Sequence, residues 1–132
     1  LDYIGLPFCF GGNEEVANPR VQEMINYIAP RTQENLFTAI TTFGLPVITT
    51  EMSRPNFDGT NYDPWSWSTD VDNQEQVDYA EAAFRVQSQF IPGFGGPFIW
   101  TLSAKQRCRV PVVDWDPRNK PLEEALRFWY SD

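Results

Sequence analysis

Three short apolar segments alternate with helix-like stretches along this chain of 132 residues. The segments lie at 3–10, 45–53 and 97–102, and their apolar, β-branched and aromatic residues are typical of buried strands. Apolar residues at helical spacing occupy the intervals between them. This alternating strand–helix order predicts parallel strands joined by right-handed crossovers. We therefore expect one α/β domain over residues 1–132, with no internal repeat or linker.

Capping and breaking residues set the expected helix boundaries. Asn18, which a proline follows, predicts the start of the first helix, Pro30 predicts an interruption and Gly44 predicts its end. Asp72, with a glutamate three residues later, resembles a capping box for the second helix. Asn119 is the expected N-cap of the third helix.

The net charge and the absence of histidine exclude several classes of function. A formal net charge of −8 argues against nucleic-acid binding, which needs a cationic surface. Histidine is absent, which excludes Ser-His-Asp and Cys-His catalysis and removes the commonest ligand of zinc. Acid–base chemistry would therefore fall to Asp, Glu, Tyr or Lys. We expect no metal and no other cofactor.

The two cysteines, Cys9 and Cys108, lie far apart and lack metal or redox spacing. Two buried thiols are compatible with this spacing, and so is a disulfide, which would suit a secreted protein. No apolar run approaches the roughly 20 residues that span a bilayer, so we expect no membrane partner. No signal peptide is visible, and a start at Leu1 fits either a processed protein or an excised piece of a longer one. We favour an extracellular location.

One carboxylate lies where parallel α/β folds carry out their chemistry. Residues 47–50 are all β-branched, which favours a short buried strand, and Glu51 follows them directly. Arg54 and Pro55 then open a polar loop. Glu51 is thus expected at the C-terminal tip of a strand. It could serve there as a catalytic group, or it could simply be solvated or cap the loop.

Several motifs occur in an order that one enzyme family shares. They are PVITTEM at 46–52, PW at 64–65, QEQVDY at 74–79, FIW at 98–100, DPRNKPLEE at 116–124 and LRFWY at 126–130. Together they resemble the C-terminal part of the retaining (β/α)8 glycoside hydrolases of clan A, most of all the family 113 β-mannanases. The resemblance covers nearly all of the chain. It implies an α/β fold that is a partial TIM barrel of about three β/α units, equivalent to strands six to eight.

The resemblance also implies roles for individual residues. Glu51 takes the place of the strand-seven nucleophile, which forms a glycosyl-enzyme that water then hydrolyses. Trp100 takes the place of the aromatic residue that floors the sugar subsite, although a core position for it stays open. The implied activity is endo-hydrolysis of a β-1,4-linked polysaccharide such as mannan or glucan. Other aromatic residues expected to contact sugar are Phe10, Tyr62, Trp65 and Trp67. Anchoring of their loop is an equal alternative for the two tryptophans.

Two departures from the family pattern affect the chemistry. The first strand would end in a tyrosine that hydrogen-bonds the nucleophile, but Phe8, Cys9 and Phe10 stand there. Another donor, such as Tyr62, would then have to orient Glu51. The chain is also shorter than the roughly 200 residues of a complete barrel. The strand-four Asn–Glu pair that supplies the acid/base in the family is therefore missing.

Glu14 and Glu15 are the acid/base candidates if the chain is active by itself. Asn13 and Glu14 reproduce the family's dipeptide shortly after a strand, while a solvated loop is the alternative for both glutamates. Retention of configuration requires the acid/base carboxyl at about 5–5.5 Å from that of Glu51.

Three hypotheses follow. The chain is a glycoside hydrolase, or a carbohydrate-binding but catalytically incomplete barrel fragment, or an acidic structural module whose aromatic residues are core. A partial barrel leaves open sheet edges, so we also expect a homo-oligomer or association with a missing barrel segment. Parallel strands require Glu51 and Trp100 to share one edge of the sheet.

Overall fold

The computed structural model describes residues 2–8, 11–66, 68–99 and 114–131. Its elements in chain order are β1 (Ile4–Phe8), α1 (Val21–Phe43), β2 (Val47–Met52), α2 (Asn73–Phe90) and α3 (Pro121–Trp129). None of the helices described combines the length and the apolar character needed to cross a membrane. Both cysteines lie outside the described residues.

The strands are parallel, as the alternating pattern predicts. β1 pairs with β2 in parallel, and Met52 forms an isolated parallel bridge with Ile99. Met52 N–H donates to Phe98 O at 2.9 Å, and Phe98 N–H donates to Thr49 O at 3.1 Å. The start of the predicted third segment therefore lies beside β2. Residues 100–102 of that segment fall outside the described residues.

Helix α1 differs from its prediction at two points. It runs without a break through Pro30, and it begins after Arg20, because Asn18 adopts a left-handed φ of 51° and cannot be the N-cap. Pro30 removes one N–H only, and a continuous buried stripe on both sides of it holds the helix together. The predicted end is confirmed, since Gly44 has a φ of 65° and caps the helix. The buried stripe consists of Met24, Ile28, Thr32, Leu36 and Ala39.

The predicted N-cap of α2, Asp72, is confirmed, whereas the predicted N-cap of α3, Asn119, is wrong. The Asp72 carboxylate accepts the N–H groups of Gln74 and Glu75 at 2.8 and 3.2 Å, so it caps α2 as expected. In α3 the N-cap is Lys120, because Asn119 has a left-handed φ of 59°.

Helix α2 forms the centre of the core. It packs against both α1 and α3, and the helices cover one face of the sheet. The Phe84 ring of α2 stacks on Trp129 of α3 with ring centroids 5.0 Å apart. Tyr130 donates its hydroxyl to Pro97 O and so attaches the end of α3 to the segment that leads to the third strand.

Candidate functional site

The alternation of β1 is regular and defines the two faces of the sheet. Ile4 and Leu6 pack against helix residues, and Phe8 is buried in the main core. Gly5 and Pro7, which point the other way, are exposed. One face of the sheet is therefore covered by helices, and the opposite face is open in the part of the chain that the structure describes.

The alternation of β2 is broken by one extra residue. Val47 and Thr49 are buried on the helix-covered face, and so is Met52, three residues after Thr49. Residues three apart lie on the same face only if the strand contains a bulge. Two neighbours show where it lies. Leu6 pairs with Thr49 but the next residue of β1 pairs with Glu51, which skips Thr50. On the other side of β2, the backbone of Phe98 bonds to Thr49 and to Met52, which are three residues apart. In a regular parallel strand these two partners would be two residues apart.

This bulge places Glu51 on the open face. Glu51 pairs with Pro7, and both lie opposite to Met52. In a regular strand the alternation of Val47 and Thr49 would direct Glu51 towards α2 instead. Gly5 gives Thr50 room, because a Cβ at Gly5 would lie 2.5 Å from Thr50 Cγ2. The candidate nucleophile is therefore at the C-terminal end of β2, half-buried and facing away from the helices.

The surroundings of Glu51 differ from the expectation. No residue within 2–8, 11–66, 68–99 or 114–131 donates a hydrogen bond to its carboxylate. Tyr62 is 47% exposed and lies in a turn in which its own N–H bonds to Gly59 O at 3.1 Å. Tyr62, which the sequence suggests as a donor, makes no hydrogen bond to Glu51 in the part of the chain that the structure describes.

The acid/base candidates lie in the loop between β1 and α1. Asn13 is buried, donates its N–H to Asn61 O at 2.9 Å and accepts the N–H of Glu15 at 2.9 Å. Glu14 folds back over the glycine at position 11 and faces Tyr27 of α1. Partial burial, and then the Glu14 carboxylate, raises the pKa of Tyr27. Neither glutamate hydrogen-bonds to Glu51, and their catalytic role stays a prediction.

The loop between β2 and α2 presents one tryptophan to solvent. Trp65 is 75% exposed. The Asp63 carboxylate accepts the N–H groups of Trp65 and Ser66 at 3.0 and 3.1 Å, and these bonds lower the pKa of Asp63. The turn therefore has its own support while the indole projects outwards. The other predicted sugar contacts, Phe10, Trp67 and Trp100, lie outside the described residues.

A buried glutamate fastens this loop to α2. Glu75 accepts the N–H of Gly59 at 2.9 Å and that of Asn61 at 2.8 Å, and its own carbonyl accepts the Asn61 side-chain amide at 2.8 Å. The predicted capping box is therefore incomplete, because the Glu75 carboxylate binds loop amides instead of reaching back to the N-cap. Burial raises the pKa of Glu75, and the two N–H groups oppose that rise.

A second polar contact joins the same loop to the C-terminal segment. Asn56 is 1% exposed. Its side-chain oxygen accepts the N–H of Asp114 and its side-chain nitrogen donates to Asn73 Oδ1, both at 2.8 Å. The backbone of Asn56 also donates to Asp114 O at 3.2 Å. The chain that follows Glu51 is thus fixed to two other parts of the fold.

One group of carboxylates is close enough to hold a cation. Asp58, Asp72 and Glu75 bring carboxylate oxygens within 4.8 Å of one another. Two of these groups already have structural partners, since Asp72 caps α2 and Glu75 binds loop amides. The arrangement is explained by folding alone.

The geometry of the strands and helices defines the class of fold. Parallel strands with helices on one face, an open opposite face and a carboxylate at a strand tip are the features of a partial β/α-barrel. No protein-family profile matches the chain, and no curated protein resembles it significantly.

Three solved structures of GH113 β-mannanases share the fold. A complex of a GH113 β-1,4-mannanase matches 98% of this chain with a TM-score of 0.66 and 18% identity. Another GH113 β-1,4-mannanase matches 80% with a TM-score of 0.59 and 22% identity. The β-mannanase AaManA from Alicyclobacillus acidocaldarius, in complex with ManMIm, matches 80% with a TM-score of 0.57 and 18% identity. The chain spans 35–39% of the length of these structures. It therefore has a glycoside hydrolase-like fold that corresponds to part of a GH113 barrel.

Proposed function

We propose that this chain is part of a retaining glycoside hydrolase for β-1,4-linked polysaccharide, with mannan favoured over glucan and Glu51 as the nucleophile. The observation that carries the proposal is the position of Glu51, at the C-terminal tip of a parallel strand and on the open face. The likeness in fold to β-mannanases supports mannan as the substrate. The matched part would be the one with strands six to eight.

The chemistry assigned to Glu51 is nucleophilic. Its carboxylate would attack the anomeric carbon and expel the leaving sugar, while a second carboxyl donates a proton to the departing oxygen. Water would then hydrolyse the glycosyl-enzyme as that second group takes up a proton. Glu14 and Glu15 are the acid/base candidates within this chain. A completing barrel segment is the alternative source.

One exposed aromatic side chain supports sugar binding. Trp65 presents its indole to solvent on a turn that Asp63 supports, and such a ring can stack on the apolar face of a sugar. Trp100 remains the proposed floor of the subsite next to Glu51.

A covalent trapping experiment tests the nucleophile. An activated 2-fluoro mannoside, incubated with the protein, should label Glu51, and peptide mass spectrometry would locate the adduct. Glu51→Gln should remove the label, whereas Glu34→Gln, which changes an exposed glutamate on α1, should retain it. Labelling elsewhere, or full mannan hydrolysis by Glu51→Gln, would refute the assignment.

A binding function without catalysis is the second candidate. Trp65 is 75% exposed and accessible to a sugar, whereas Glu14 faces Tyr27 of α1, and this arrangement favours a barrel fragment that holds sugar but cannot cleave it. Oligosaccharide titration followed by tryptophan fluorescence, together with an assay for released sugar, separates the two functions. Binding without release would select this candidate.

Association with further chain material is part of the proposal. Within the described residues, β1 pairs on one side only. Ile48 on the open face is 38% exposed, and Phe37 and Phe43 of α1 are 69% and 64% exposed. A second copy or a completing barrel segment would cover these groups. Sedimentation that shows a stable monomer of one chain would contradict self-association.

A further inference from the structure

A fully buried glutamine on α2 contacts both sides of the β2 bulge. Thr49 donates its hydroxyl to Gln87 Oε1, and Gln87 Nε2 donates to Met52 Sδ at 3.6 Å. Gln87 has no exposed surface. Its two partners are the residues that flank the bulge formed by Thr50 and Glu51.

These two contacts are compatible with the bulged register only. Thr49 and Met52 are three residues apart, so a strand without the bulge would turn one of them away from α2. Either the side-chain oxygen or the side-chain nitrogen of Gln87 would then be buried without its partner, which costs free energy. The side chain of Gln87 therefore opposes the register in which Glu51 would turn towards the helices.

We propose that Gln87 is a positioning residue that maintains the bulge and so keeps Glu51 on the open face. Its effect on hydrolysis rests on the proposed function of Glu51. The effect of Gln87 on the strand register is independent of that function, and the experiment below measures the register directly.

A second glutamine of the same helix provides a matched control. Gln76 is equally buried and also bonds to the β2 region, since its Nε2 donates to Arg54 O at 2.7 Å. That bond lies beyond the end of the strand and does not bridge the bulge. Gln76→Leu thus removes a buried amide from α2 and leaves the contacts at Thr49 and Met52 in place.

Two cysteine reporters measure the register. In a protein with both natural cysteines changed to serine, Ile48→Cys places one thiol on the open face before the bulge, and Glu51→Cys places one within it. Both thiols should react with a neutral maleimide at comparable rates. Loss of the bulge would move the two positions to opposite faces, because they are three residues apart. In Gln87→Leu we expect the two rates to diverge by about tenfold or more, since thiol reactivity follows exposure.

The outcomes decide the proposal. Divergence in Gln87→Leu, with unchanged relative rates in Gln76→Leu, supports it. Unchanged relative rates in Gln87→Leu overturn it, as does an equal change in both variants, which would indicate general loosening. If circular dichroism shows that Gln87→Leu does not fold, Thr49→Val removes only the hydroxyl contact and should cause a smaller divergence of the same kind. The absence of that divergence would also overturn the proposal. If Glu51→Gln retained hydrolysis, the proposed function would fail, and the thiol rates would still decide the role of Gln87.

Discussion

Substitution of Asn56 by leucine should lower the stability of the fold more than an exposed substitution of the same kind. Leucine has a similar volume but removes both side-chain hydrogen bonds, at 2.8 Å each, from a residue that is 1% exposed. The Asp114 N–H and the Asn73 side-chain oxygen would lose their partner. Both residues are half-buried, so water can partly replace what is lost. A cost of about 1 kcal/mol or slightly more for each bond gives a total of about 2–3 kcal/mol.

Urea unfolding followed by tryptophan fluorescence measures this change. With an m value of about 1–3 kcal/mol/M, the loss should lower the midpoint by roughly 1 M or more. Asn26→Leu is the control, because Asn26 is exposed on α1 and accepts a single bond from Gln22 at 3.0 Å. We expect the control to change stability by less than about 0.5 kcal/mol. Equal effects of the two substitutions would refute the idea that Asn56 fastens the loop after Glu51 to the C-terminal segment.

Three further predictions concern pH and the exposed aromatic loop. Burial raises the pKa of Tyr130 from 10.0 to about 12, so the unfolded chain loses this proton at a lower pH than the folded protein. The contribution of Tyr130 to the free energy of unfolding should therefore be complete below pH 10 and disappear as the pH rises through 12. Because the residue remains 45% exposed, we expect about 1 kcal/mol, and Tyr130→Phe should remove this alkaline dependence in a pH series of thermal melts. Burial raises the pKa of Glu75 above 4.5, so the contribution of Glu75 to the free energy of unfolding should decrease as the pH rises through its pKa in the folded protein. Glu75→Gln should remove this decrease from a plot of the free energy of unfolding against pH. Trp65→Ala should weaken mannooligosaccharide binding, measured by calorimetry, by about 1 kcal/mol or more, and should leave thermal stability unchanged. An unaltered affinity would mean that the indole does not touch the sugar.

Local sequence patterns were sufficient for the type and order of the elements. The β-branched run at 47–50 and the apolar stripe of α1 have the strand and helix periods that predict these elements, and both are observed. The capping roles of Gly44 and Asp72 are predictable because they depend on neighbouring residues only, and both are confirmed. The partial barrel expected from the motifs is supported by the likeness in fold to the GH113 β-mannanases.

The errors arose where distant contacts overrode a local preference. Pro30 is accommodated because the core holds α1 on both sides of it. Glu75, which looked like half of a capping box, binds backbone amides at positions 59 and 61.

The sequence by itself determined that a carboxylate follows a short buried strand in a parallel α/β chain. Only the tertiary structure decided which way that carboxylate faces. Strict alternation from Val47 would direct Glu51 towards α2, whereas the extra residue at Thr50 turns it to the open face. A bulge depends on pairing with the neighbouring strand and, as we propose, on the buried contacts of Gln87. Such contacts join residues far apart in the chain, and the order of residues within β2 does not contain them.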